Sequence, residues 1–173
     1  MKIKYNYTPF FKFKANEVAS LSMLDDKLKV DLKPFFDIPK KDGMTRCEFE
    51  EKVVACRRKA DKYLTEFPYI FIDSFDIPDS IGSVGFPNCK VIIDAFSKFE
   101  YVPVLGLDRV SDHNSTIYDS KIAGEIVSDT VAVRIQADEF ESFPLIKIQL
   151  DDLITKGCSV FLNWIFIFDC RVC

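Results

Sequence analysis

Six short apolar runs, each ending on or leading into charged residues, alternate along this chain with stretches of helical period. The runs occupy residues 7–13, 33–38, 69–73, 101–107, 130–135 and 160–168. Within them the apolar residues are nearly continuous, the pattern of parallel strands covered by helices rather than of strands with one wet face. Strands that alternate with helices imply right-handed crossovers. Two architectures satisfy this: a (β/α) barrel-like repeat, incomplete at six strands and five helices, or an open doubly wound parallel sheet.

The clearest helix is announced by Thr45-Arg46-Cys47-Glu48. This is a capping box, in which the hydroxyl reaches forward and the glutamate reaches back. Phe49, Val53, Cys56, Ala60, Tyr63 and Phe67 follow at intervals of three or four and make one apolar stripe, which Pro68 ends. Further helices are expected after Asn16, around Val91, from Ser115, and from Ser142 to Gly157. No linker or low-complexity segment divides the chain, so residues 1–173 read as one α/β domain.

Composition narrows the function classes. Hydrophobic residues are 48% of the chain, enough for a full core, and the 17 phenylalanines suit broad packing surfaces. The net charge is −4, and the short clusters Lys40-Lys41 and Arg57-Arg58-Lys59 are flanked by acids. They read as solvated faces, so no nucleic-acid partner is expected. The longest apolar run, nine residues over 160–168, is far short of the ~20 that cross a bilayer. It is expected as a buried strand, with no membrane partner. The N-terminus carries no apolar leader core, which suggests a cytoplasmic protein with reduced cysteines. Cys47, Cys56 and Cys89 fall in helical patterns and are expected as small buried hydrophobes. Cys170-Arg171-Val172-Cys173 is a lone pair without the second pair that a structural zinc site needs.

Chemistry in parallel α/β folds collects at the carboxyl ends of strands. Here those ends carry Lys12, Asp37, Asp73, Asp108, Arg109, Arg134 and Asp169. Carboxylates without a histidine cluster suit a hard cation, so Mg²⁺ is a possible cofactor. On this reading Asp37, Asp73 and Asp108 hold the metal or act as acid and base. Lys12, Arg109 and Arg134 bind an anionic small molecule, phosphate or carboxylate, with arginine gripping it bidentately. Asp169 orients a partner. A plainer reading of each aspartate is a helix cap or an Asx turn. His113, the single histidine, is expected in a loop after the fourth strand, placed as a general base or simply as a surface residue. No nucleophile elbow, glycine-rich phosphate loop or zinc-protease motif is present.

The order of these segments resembles the "beta protein" family of phages and bacterial genomes. The residues that carry the likeness are Tyr7 to Lys14, Lys33 to Pro39, Phe71-Ile72-Asp73, Val102 to Arg109, Val133-Arg134-Ile135 and Phe166 to Asp169. Asp37 stands where the family commonly has glutamate. The resemblance implies a (β/α) barrel with no defined activity. Family members are longer, and six strands cannot close an eight-stranded barrel. The first and sixth strands are then expected as open edges, which a homodimer or a second fragment would cover. A non-catalytic factor that binds a phage, host or defence protein is the alternative function.

Overall fold

The computed structural model describes residues 7–83 and 85–169. Its strands are β1 (Phe10–Lys12), β2 (Phe35–Asp37), β3 (Ile70–Asp73), β4 (Tyr101–Gly106), β5 (Thr130–Gln136) and β6 (Asn163–Asp169). They form one sheet in the order β1-β2-β3-β4-β5-β6, every neighbouring pair parallel. Sequence order equals spatial order, so there is no point at which the strand order reverses. A doubly wound sheet requires such a point. That alternative falls, and the (β/α) half-barrel stands.

The helices are α1 (Ala15–Ser22), α2 (Asp26–Lys29), α3 (Arg46–Tyr63), α4 (Asn88–Ala95), α5 (Ser111–Ile122), α6 (Ala137–Glu141) and α7 (Phe143–Gly157). Their buried faces meet one side of the sheet. Val18, Phe49, Val53 and Ile92 pack there on Phe36, Ile70 and Ile72. Ile117, Leu150 and Leu153 pack on Val131, Val133 and Ile135. The other side is lined by Phe35, Phe71, Val102, Val104, Ala132 and Ile167, with no helical residue among them. The sheet therefore curls around its own apolar lining. Phe10, Phe35 and Phe71 stack across β1, β2 and β3, with ring centroids 4.5 and 5.6 Å apart. The curl is deep enough for Arg134 in β5 to reach Asp37 in β2 at 2.9 Å. Three strand spacings in a flat sheet would be about 14 Å. Among the described residues β1 and β6 do not pair, so the barrel is open.

Several expectations are corrected. Among the described residues there are seven α-helices rather than five, because α2 and α6 are too short to show a period. The Asp25 carboxylate caps α2 at Lys27 N, 2.9 Å away. A Gln136–Glu139 capping box opens α6. The capping box on α3 is present as expected, but α3 stops at Tyr63, and Leu64 and Phe67 turn into the core beyond it. The start of α5 is Ser111 rather than Ser115, which changes the place of His113. The sixth strand is buried on one face only, at Ile167 and Asp169. As an edge, β6 leaves Phe166 and Phe168 41% and 56% exposed. Cys47 is exposed on the first turn of α3, whereas Cys56 and Cys89 are buried. Cys170 and Cys173 lie outside the described residues. Among the described residues no helix is long and apolar enough to cross a membrane.

Candidate functional site

Side chains two residues apart on a strand share a face. Phe35 and Asp37, Phe71 and Asp73, Ala132 and Arg134, and Ile167 and Asp169 therefore each place an apolar residue in the barrel lining and a charged one above it. Register sets Lys12 beside Asp37 and Asp37 beside Asp73. The charged layer is thus a direct product of strand alternation and in-register parallel pairing.

Arg134 is the centre of the layer and is fully buried. Its Nη1 donates to Asp37 Oδ1 at 2.9 Å and to Asp73 Oδ2 at 2.8 Å. Its Nε and Nη2 both donate to Asp169 Oδ2, at 3.0 and 2.6 Å. The guanidinium lies between two rings, with Phe75 at 3.8 Å and Phe35 at 5.3 Å from Cζ. Such stacking adds cation–π attraction to the ion pairs.

Arg109 follows β4 and reaches Asp73 Oδ2 through Nη2 at 2.7 Å. Gly106 leaves room for this. A Cβ there would sit 2.5 Å from Asp108 Oδ1 and 3.0 Å from Arg109 Nε. Asn114 in α5 fixes that glycine from both sides, accepting from its N–H at 3.3 Å and donating to its carbonyl at 2.7 Å. Asp108 lies 3.4 Å from Arg109 Nε. Lys12 donates to Asp37 Oδ2 at 3.3 Å and to Asp76. With 35% of its side chain exposed, Lys12 stands at the mouth of the layer.

Three cations, Lys12, Arg109 and Arg134, thus meet five carboxylates, Asp37, Asp73, Asp76, Asp108 and Asp169. Burial raises the pKa of Asp37 above the usual carboxylate range; Arg134 opposes the rise and neighbouring Asp73 adds to it. Burial would raise Asp73 too, but Arg109 and Arg134 outweigh it and hold that carboxyl below the usual range. Lys12 is raised despite its burial, through its bonds to Asp76 and Asp37. Arg134 is raised in the same way by Asp73 and Asp37.

The expected site residues Lys12, Asp37, Asp73, Asp108, Arg109, Arg134 and Asp169 are brought into one connected network. His113 is not. It lies in the first turn of α5, buried, with Nε2 3.0 Å from the Val104 carbonyl. Burial, and next Arg109, depress its pKa. It is neither a loop residue nor part of the charged layer. A divalent metal does not fit the layer. Among the described residues no group of three or more His, Cys, Asp or Glu side chains is placed to hold one. The guanidinium of Arg134 stands where Asp37, Asp73 and Asp169 converge.

Phe75, Asp76, Gly106 and Asn114 were not expected as site residues. Gly106 had a signal, since glycine inside a strand marks a close approach. Asp76 had a weaker one, as a second carboxylate three residues after Asp73.

A curled parallel sheet with its helices on the outside and a charged layer at the strand ends defines a barrel-type α/β protein. The model of the Beta protein family matches residues 7–171, and the chain belongs to that family. No curated protein and no solved structure matches it.

Proposed function

We propose that the charged layer binds a small anionic ligand, a carboxylate or a phosphate, and moves a proton at Asp37. The observation that carries this is the neighbouring pair Asp37 and Asp73. Both accept from the same Nη1 of Arg134, yet their environments drive their protonation in opposite directions. Carboxyls pushed apart in this way divide the acid and base roles between them.

The donors divide as well. Arg134 uses Nε and both Nη on carboxylates, so it organises the layer rather than gripping a ligand. The anion falls to Lys12 at the mouth and to Arg109, whose buried Nε makes no hydrogen bond. Asp108 orients Arg109, and Asp169 orients Arg134. Carboxylates already outnumber cations here, so an entering anion must be matched by the loss of a negative charge. Asp37 is the group readiest to supply that, by taking up a proton. Protonated, it becomes a donor to the ligand. Asp76 yields Lys12 to the ligand at the same time.

The test is thermal melting with inorganic phosphate, sugar phosphates, nucleotides and dicarboxylates, at pH 5.5 and pH 8. One anion class raises Tm, more at the lower pH, and the rise is lost in Lys12→Ala and Arg109→Ala. A ligand at a hundred times its Kd adds about 2.7 kcal/mol, easily read as a shift. A transition indifferent to every anion overturns the reading.

A second reading has its own observation. Leu145, Ile148, Phe166 and Phe168 are exposed along α7 and the open β6 edge. Native proteins normally cover such an edge. A protein-interaction factor would receive there a second copy or another fragment. Light scattering across a concentration series tests it, with Ile148→Lys expected to abolish any association. For either reading the cytoplasm is the proposed location.

A further inference from the structure

Asp73 is buried, and only one of its oxygens is occupied. Oδ2 takes both Arg109 and Arg134. Oδ1 is also shut away from solvent, and no described group donates to it. A buried charged oxygen left without a donor is strongly unfavourable, and native structures satisfy nearly all such groups with protein or with ordered water.

Asp73 borders a small space between β3, β4, α4 and α5 of about 10 Å³. That is room for about one water molecule. His113 borders the same space. Its Nε2 lies 3.0 Å from the Val104 carbonyl, which can only accept. The proton of a neutral ring is therefore on Nε2, and Nδ1 is left as an acceptor. Asp73 and His113 thus bring two acceptors and no donor to one space of water size, and the buried Tyr101 hydroxyl on the same wall has no partner among the described residues either. Water can donate to both acceptors and also accept from the tyrosine.

We propose that one internal water fills this cavity, donating one hydrogen to Asp73 Oδ1 and the other to His113 Nδ1. It makes His113 a positioning residue for Asp73 from behind the sheet, and gives the single histidine a role in burial. The inference rests on the cavity and the orphaned oxygen, and stands whether or not the charged layer binds an anion.

A high-resolution crystal structure and ¹⁵N NMR of the histidine ring test it together. The expected result is an isolated solvent peak about 2.8 Å from both atoms, with the ring neutral and protonated on Nε2 at pH 7. A water-to-protein NOE of a long-lived molecule accompanies it in wild type. His113→Phe loses the peak and the NOE. If that variant does not fold, the wild-type peak, NOE and tautomer decide alone. A protein donor on Oδ1, a ring protonated on Nδ1, or a peak at about 2.4 Å that marks a cation overturns the proposal.

Discussion

Asp37 and Asp73 stand opposite each other across β2 and β3 and share one nitrogen of Arg134, yet only Asp73 is also held by Arg109. The second cation on Asp37 is instead the partly exposed Lys12, at 3.3 Å against the 2.7 Å of Arg109 on Asp73. Asp37 is pushed above the ordinary aspartate value by its burial, and Asp73 is held below it by Arg109 and Arg134.

The two aspartates therefore respond differently to neutralisation. Asp73→Asn removes a charge that serves two buried guanidinium groups at once. Breaking a buried pair from one side costs about 3–5 kcal/mol, and that loss is expected in urea unfolding at pH 7. Asp37→Asn removes a charge that burial already disfavours, and its loss is expected to be clearly smaller. Equal losses would contradict the assignment.

Stability should fall on the acid side, and His113 should set where the fall begins. Its pKa is depressed in the folded state. Below an ordinary histidine value of about 6.5, the unfolded chain takes a proton that the folded ring refuses, so stability drops as pH falls through that point. Asp73, also depressed, adds a second loss below the ordinary aspartate value of about 3.9. Asp37 has the opposite sign. Its raised folded value means that stability declines as pH rises from the ordinary aspartate value through the folded one. Unfolding free energies from about pH 2 to 8 check this, and His113→Gln should flatten the change around 6.5.

Gly106→Ala should act on the site more than its size suggests. The added Cβ would meet Asp108 Oδ1 and Arg109 Nε at 2.5 and 3.0 Å. The Asp108 carboxylate must then swing aside and Arg109 give by a few tenths of an ångström, which loosens its hold on Asp73. Overpacking of this kind costs about 1–3 kcal/mol, and any anion-induced rise in Tm should vanish with it. Asn114→Ala frees the Gly106 backbone and is expected to weaken the rise without removing it.

The strands were legible because burial on two faces leaves continuous apolar runs, and α3 because Thr45 and Glu48 form a capping box. The start of α5 was not. Val110 precedes it without a side-chain cap, and Ser115, the expected cap, donates to the Asp112 carbonyl inside the helix. Seven site residues could be listed because each lies near the carboxyl end of a strand or just past it. Their pairing could not be read, because it depends on register and curl. Arg134 and Asp37 are 97 residues apart, with two strands between them in the sheet. Phe75, which covers the guanidinium, lies in the loop after β3 and carries no pattern that separates it from the other phenylalanines.

A carboxyl-resolved ¹³C NMR titration of Asp37 and Asp73, with and without sulfate as a phosphate stand-in that does not titrate in this range, tests the central claim most directly. Asp37 is predicted to titrate above the ordinary aspartate value and Asp73 below it, with sulfate moving Asp37 further up. Two carboxyls that titrate together, or an Asp37 that sulfate leaves unmoved, would contradict the account.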